Sequence, residues 1–328
     1  MPLTTSVVLC TCNGARFLEA QWDSLLAQSR LPDEIVVRDD ASSDATGTLL
    51  DTLRKRTEGR GVQVRLRRNS TNLGYVANFE AVLQEASGDL LFLCDQDDVW
   101  HREKLATLAA QFETRPDLLL LCGDARRIDA TGAVLPQSLF RVLKVSHSEL
   151  RRIHAGRGFE VLLRRSLATG ATVALRRSLL ADALPFPSGW VHDEWLAIIA
   201  AALGGFDCVE RSLVDYRQHE SNQIGMPDRD LAAQWRDLLK PRAALIDGLI
   251  ARDEALQARL HALDTRLPAA CRRRVAEKLS HLRARGAMRG APWTRLARIL
   301  RETTNGNYRR YGTGLRSGLR DLLRRVET

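Results

Sequence analysis

Two acidic clusters hold the residue types best suited to chemistry. Asp95-Gln96-Asp97-Asp98 puts three carboxylates into four consecutive positions. Like charges raise one another's pKa, so three such groups cannot stay close and ionised without compensation. A hard divalent cation, Mg²⁺ or Mn²⁺, supplies it by taking one or two carboxylates and completing its shell with substrate phosphate oxygens. A competing reading makes Asp98, which precedes Val-Trp-His-Arg-Glu-Lys-Leu, a helix cap. Capping accounts for Asp98 and leaves Asp95 and Asp97 unexplained. The second cluster, Asp39-Asp40-Ala41-Ser42-Ser43-Asp44, is open in the same way. Ser43 or Asp44 can cap the next helix, while a carboxylate at the end of a second parallel strand can accept hydrogen bonds from a nucleotide base or ribose.

The elements that must position these clusters follow from periodicity. Ser6–Thr11 and Glu34–Arg38 are short β-branched apolar runs, which predict buried parallel strands. Between them Phe17, Leu18, Trp22, Leu25 and Leu26 fall at helical spacing within Ala15–Gln28, giving a βαβ unit. A helix through Leu49, Leu50 and Leu53, a strand Val62–Leu66, a helix Val76–Ala86 and a strand Leu90–Cys94 continue the alternation. A helix Lys104–Phe112 and a strand Leu118–Cys122 come next, then strand candidates Ala171–Leu175 and Val209–Tyr216. An apolar helix Trp195–Leu203 follows His192-Asp193-Glu194, with Asp193 well placed to cap it. The pattern is an open α/β sheet with its polar motifs at the carboxyl ends of strands, where such sheets bind ligands.

Composition narrows the class. The 328 residues are 45% hydrophobic and 27% charged, ordinary for a globular chain. Trp195–Phe206, the longest uncharged apolar run, is shorter than the roughly 20 residues that span a bilayer. The opening MPLTTSVVLCTCNG lacks a basic flank followed by a long apolar stretch, so no secretory signal is expected and the location is read as cytoplasmic. Cysteines 10, 12, 94, 122, 208 and 271 are scattered without zinc spacing and are expected to be buried thiols. The net charge of +9 is unevenly divided: residues 229–328 carry 23 Lys+Arg against 10 Asp+Glu, a net of +13, and residues 1–228 carry 26 against 30, a net of −4. That division excludes a uniformly basic nucleic-acid-binding chain.

Taken in order, VVLCTCNGARFLEAQWDSLLAQ, EIVVRDDASSDAT, NLGYVANF, LLFLCDQDDVW, HDEWLA and YRQHESNQIG resemble family 2 glycosyltransferases, over roughly residues 4–226. The Asp-Gln-Asp-Asp-Val-Trp and Tyr-Arg-Gln-His forms are most similar to the rhamnosyltransferase-like branch of bacterial surface-polysaccharide synthesis (O-antigen or lipopolysaccharide type). The resemblance implies a GT-A, Rossmann-like, mostly parallel sheet flanked by helices in residues 1–226, while the Arg- and Leu-rich composition of 227–328 is read as a basic amphipathic α-helical region. It implies metal-dependent, inverting transfer of a sugar from a nucleoside-diphosphate sugar to a glycan or lipid-linked saccharide, with dTDP-rhamnose or a UDP-hexose as donor. Thr11 and Asn13 match positions near the nucleoside, Asp40 the base-reading carboxylate with Asp39 beside it, and Asn72 and Gly74 a loop near the nucleotide. Asp95 and Asp97 match the Asp-x-Asp pair, Asp97 as metal ligand and Asp95 on ribose or metal-bound water. Asp193 matches the catalytic base and His219 a histidine that approaches the metal or diphosphate; the competing reading of His219 is a loop imidazole paired with Glu220 or solvent. Cys12 departs from the pattern, in which an aromatic residue is frequent.

Residues 243–263 and 315–326 place Leu and Ile at helical spacing with Arg between them. This basic region is read either as a dock for anionic membrane or as helices packed on the catalytic core or a second subunit. No base-reading motif accompanies it, so nucleic acid is not an expected partner. Two other functions compete with transfer. A nucleotidyltransferase would show a Gly- and Lys/Arg-rich triphosphate loop near the first strand, where only Asn13-Gly14-Ala15-Arg16 stands. A non-catalytic nucleotide-sugar-binding module would have lost the Asp-x-Asp pair or Asp193.

Overall fold

A computed structural model of the chain describes residues 2–220, 243–288 and 292–323. The Ser221–Gly225 end of the YRQHESNQIG motif, and 227–242, 289–291 and 324–328 of the basic region, lie outside the described residues. The described residues divide into two units, one holding 2–162, 166–186 and 191–220, the other 163–165, 187–190 and the described residues from 243 onward.

The first unit alternates strand and helix: β1 (Thr5–Thr11), α1 (Leu18–Leu26), β2 (Glu34–Asp39), α2 (Thr46–Thr57), β3 (Gln63–Arg68), α3 (Tyr75–Glu85), β4 (Leu90–Cys94), β5 (Val99–Trp100), α4 (Lys104–Thr114), β6 (Leu120–Gly123) and β7 (Arg126–Ile128). Short helices α5 (Leu139–Val142), α6 (His147–Arg152) and α7 (Gly158–Leu162) precede β8 (Ala174–Arg176), α8 (Leu180–Ala183), α9 (His192–Ala202), β9 (Phe206–Val209) and β10 (Val214–Arg217). Among the described residues one sheet runs β3-β2-β1-β4-β8-β6-β9, with β8 antiparallel to both its neighbours and the other pairs parallel. Val7, Val8 and Leu9 of β1, and Ile35, Val36 and Val37 of β2, are fully buried, as strands covered on both faces must be. The edge strand β3 is only partly covered, and its arginines guard it against pairing with another chain. On α1, Leu18, Trp22 and Leu25 face the sheet, and Trp22 Nε1 donates to Thr57 Oγ1 at 3.0 Å, so the buried indole keeps a partner.

Register aligns the site. Thr11 pairs with Asp39, so β1 and β2 end together and release Cys12 and Asp40 side by side, while Cys94 pairs with Leu9, so β4 ends two residues earlier and Asp95 follows level with Cys10. A second sheet, β5-β10-β7, pairs Asp215 with Val99 in antiparallel register. Two residues further along that register Arg217 lies opposite Asp97, and the chain carries His219 to the same carboxylate.

Two expected strands differ. Ala171–Leu175 is not one strand: Gly170–Thr172 is a 3₁₀ turn and only Ala174–Arg176 joins the sheet. Asp193 accepts from Gly170 N at 2.7 Å and Lys104 Nζ donates to Ala171 O at 2.8 Å, which draws this backbone out of the ladder. Val209–Tyr216 is interrupted by the exposed Glu210-Arg211, and its two halves, β9 and β10, belong to different sheets.

In the second unit, helices Ala243–Ala262 and Ala269–Gly286 pack through Ile246, Leu256, Leu260, Val275, Leu279 and Leu282, followed by helices Pro292–Thr304, Asn307–Tyr311 and Leu315–Leu323. Among the described residues no helix is long and apolar enough to cross a membrane.

Candidate active site

The carboxyl-terminal edge of β1, β2 and β4 begins with a carboxylate pair, Asp39 and Asp40. Thr11 Oγ1 and Ser42 Oγ donate to Asp39 Oδ1 at 2.7 and 2.6 Å, tying the strand ends together. Asp40 turns the other way. Its Oδ1 accepts from Leu73 N at 2.8 Å and Asn69 Nδ2 at 2.6 Å, and its Oδ2 from Gly74 N at 2.9 Å. Asp40 thereby fixes the 72–74 loop, where Asn72 Nδ2 donates to Asp40 O at 3.2 Å and Asn72 Oδ1 accepts from Gly74 N at 3.0 Å. Gly74 has φ +81°, a conformation that favours glycine. Asn13, itself at φ +50°, accepts from Ser43 N at 2.8 Å and stays exposed. Asp44, not Ser43, serves the start of α2, accepting from Thr46 N at 2.9 Å.

Gln96 explains why the acidic tetrad is broken by an amide. Its Oε1 accepts from Cys12 N at 2.8 Å and its Nε2 donates to Cys12 O at 3.0 Å, extending the β1–β4 pairing by a side chain. Asp95 on one side of it keeps some surface open, yet burial, with Asp97 and then Asp193 nearby, pushes its carboxyl up to about 7. Asp98 does not cap a helix. It is fully buried, its Oδ1 accepts from Arg217 N at 2.9 Å, and α4 begins only at Lys104, after Glu103. The reason is β5: Val99 and Trp100 are taken by the second sheet, so the tetrad leads into a strand. Burial, with Asp97 and Asp95 adding, pushes the Asp98 carboxyl well up.

Asp97 faces His219, with Oδ2 and Nε2 2.8 Å apart. Arg217 Nε donates to Asp97 O at 2.7 Å, and the Phe17 ring lies 4.8 Å from both the His219 ring and the Arg217 guanidinium carbon. Lys104 is the buried countercharge: it sits 3.4 Å from the centre of the Trp100 ring, and burial lowers its ammonium to about 7 against the pull of Cys94, Asp98 and Asp95.

Asp193 lies in the first turn of α9 and does not cap it; Val191, two residues earlier, holds the cap position and makes no side-chain cap bond. Its Oδ2 accepts from Gly170 N and its Oδ1 from Glu194 N, both at 2.7 Å, so both oxygens are oriented by backbone. Burial, with Glu194 adding, raises its carboxyl to about 7. His192 stacks on Phe79 with ring centres 4.0 Å apart, and neither ring nitrogen has a hydrogen-bond partner. Burial drops its imidazole to about 3, which keeps it neutral. A methyl built on Gly170 would lie 3.2 Å from His192 Nε2, 3.6 Å from Asp193 Oδ2 and 3.8 Å from Asp95 Oδ2. Three polar groups therefore line a cradle that only a glycine leaves open.

His192, Gly170 and Lys104 carry no signal that singles them out in the sequence: a histidine opening a helix, a glycine in a loop and a lysine in a first turn are all ordinary. Trp195 is core, with Nε1 donating to Ala183 O at 2.7 Å. Among the described residues no three His, Cys, Asp or Glu side chains form a closed metal-ligand set. The donor chemistry at Asp97 and His219 nevertheless fits a divalent cation. Their 2.8 Å separation is close to the roughly 3 Å between adjacent ligands of an octahedral ion at about 2.1 Å, and Mg²⁺ or Mn²⁺ takes its other ligands from phosphate and water.

Residues 6–183, more than half of the chain, match the model of glycosyl transferase family 2, and the chain belongs to that family. It is 28% identical over 193 residues to the abequosyltransferase RfbV of Salmonella typhimurium, covering 57% of this chain and 56% of that protein. The chain spans about three fifths of the length of the curated relatives it matches. Its fold is similar to that of S. aureus TarS 1-349 in complex with UDP-GlcNAc, with a TM-score of 0.57 at 19% identity over 85% of this chain and 72% of that one. It is also similar to GalNAc-T7 with UDP, GalNAc and Mn²⁺, with a TM-score of 0.52 at 19% identity over 67% of this chain and 44% of that one. The mostly parallel sheet with flanking helices is the GT-A fold.

Proposed function

We propose that the chain transfers a glycosyl group from a nucleoside-diphosphate sugar to a hydroxyl of a saccharide acceptor, with inversion at the anomeric carbon. The observation that carries this reading is the cradle at Gly170, where Asp193, Asp95 and His192 converge beside the Asp97–His219 pair at the carboxyl edge of the sheet. Thr11, Asn13, Asp39, Asp40, Asn72 and Gly74 form the nucleoside end of the same edge. Asp97 and His219 would hold a divalent cation, which when bound offsets the charge that grows on the departing diphosphate. Asp193 takes the proton of the acceptor hydroxyl as the acceptor oxygen bonds to the anomeric carbon and the bond to the diphosphate breaks. The two backbone donors at Asp193 aim its carboxylate before the acceptor arrives, and buried His192, kept neutral, adds no charge beside it.

A donor such as dTDP-rhamnose is the favoured substrate, from the likeness of Asp95–Trp100 and Tyr216–His219 to rhamnosyltransferase-like sequences, and an abequosyltransferase stands among the relatives. A UDP-hexose is the alternative, and surface polysaccharide is the proposed destination. Thermal unfolding with a panel of nucleoside-diphosphate sugars tests the donor class. One donor with Mn²⁺ is expected to raise the melting temperature by several degrees, because a ligand that binds only the folded state stabilises it in proportion to its affinity. A panel that leaves the melting temperature unmoved, with and without Mn²⁺, contradicts the reading.

A further inference from the structure

Two helices of the second unit are turned inside out. In Pro292–Thr304, Trp293, Leu296 and Leu300 fall at i, i+3 and i+7, and all are exposed, Trp293 at 76%. The side chains this helix buries are Arg295, Ile299 and Glu302. In Leu315–Leu323, Leu315, Leu319 and Leu323 at i, i+4 and i+8 are exposed, Leu315 at 81%, whereas Ser317, Gly318 and Asp321 are buried. A helix that buries its apolar stripe in a protein core shows the opposite arrangement.

The inward polar faces are held by specific bonds. Arg285 Nε donates to Asp321 Oδ2 at 2.7 Å, Tyr308 OH to the same oxygen at 2.8 Å, and Arg295 Nη1 to Asp321 O at 3.2 Å. His281 Nδ1 and Glu302 Oε2 are 2.5 Å apart. Rotating either helix to hide its leucines would break this network and bury unpaired charge. The outward stripes therefore call for an apolar partner. Charge selects which one. Arg301 and Arg316 directly follow Leu300 and Leu315 and are exposed beside the stripes, in a region of net charge +13. A second copy would press two arginine rims together, whereas an anionic bilayer supplies the opposite charge and an apolar layer beneath it.

We propose that the outward stripes of these two packed helices dock on an anionic lipid surface. Trp293 and the leucines enter the boundary between headgroups and acyl chains, and the arginines reach back to lipid phosphates. The proposal is independent of the transfer reaction. Flotation of the full-length chain with vesicles of phosphatidylcholine alone, or of phosphatidylcholine with phosphatidylglycerol, tests it. Binding to the acidic vesicles is expected to exceed binding to the neutral ones by about tenfold or more and to weaken as salt rises. Changing Trp293, Leu300, Leu315 and Leu319 together to Ser is expected to cost about tenfold or more in vesicle binding while the circular dichroism spectrum is unchanged. The double change Arg301→Gln and Arg316→Gln should weaken binding to acidic vesicles alone. Asp193→Asn should float as the wild type does. Equal, negligible binding to both vesicle types overturns the proposal, and so does undiminished binding by the four-serine variant. A wild-type dimer that ignores vesicles and that the same variant turns into a monomer also overturns it, giving the face to a second copy.

Discussion

Asp193→Asn is expected to lower turnover by about 10³-fold while leaving donor and metal affinity near the wild-type values, within the 10²–10⁴-fold typical of a positioned general base. Both Asp193 oxygens accept a backbone N–H, from Gly170 and Glu194, and an amide can serve only one of them. The variant should therefore also lose about 1–3 kcal/mol of stability, which unfolding measurements separate from the kinetic effect. Gly170→Ala is the steric companion, because its methyl would enter the cradle 3.2 Å from His192 Nε2 without removing a carboxylate. The pH profile carries the same assignment. Burial holds the Asp193 carboxyl near 7. A base must be ionised, so kcat/KM should fall about tenfold per pH unit below that value and level off above it. A bound cation favours the ionised form and should draw the limb lower as Mn²⁺ is raised. Lost donor binding in calorimetry, with turnover intact on saturation, would remove Asp193 from the chemistry.

Asp97→Ala is expected to abolish metal-stimulated transfer, a loss of about 10³-fold or more, and to weaken Mn²⁺-dependent binding of a nucleoside diphosphate. The fold should survive. Arg217 is anchored to the Asp97 backbone oxygen and to Asp98 Oδ1, and neither contact uses the Asp97 side chain. Asp98→Ala is the contrast, since it leaves the buried Arg217 N–H without its acceptor and should cost stability first. Full activity of Asp97→Ala in the presence of a chelator would end the metal assignment.

What the sequence reveals depends on how local each constraint is. β1, α1 and β2 are legible because Val7–Leu9 and Ile35–Val37 are continuous apolar runs covered on both faces, and Leu18, Trp22 and Leu25 keep helical spacing between them. The acidic tetrad announces itself because three adjacent carboxylates need a reason. Ala171–Leu175 misleads because its strand-like composition is overruled by two distant groups, Asp193 and Lys104, that hold the backbone of Gly170 and Ala171. Asp98 misleads for a similar reason. Its capping pattern is intact, but Val99 and Trp100 are claimed by β10, more than a hundred residues away. The same pairing brings His219 to Asp97, a meeting that no spacing in the sequence encodes. Side chains that act across strands, such as Gln96 on Cys12, read in sequence as ordinary polar residues.

The most direct test of the account is a proton NMR time course of the wild-type chain with its stabilising nucleoside-diphosphate sugar, a saccharide acceptor and Mn²⁺. The prediction is loss of the donor's anomeric signal, appearance of a product of opposite anomeric configuration, and arrest on adding chelator. Transfer with retained configuration, or transfer undisturbed by chelator, would contradict it.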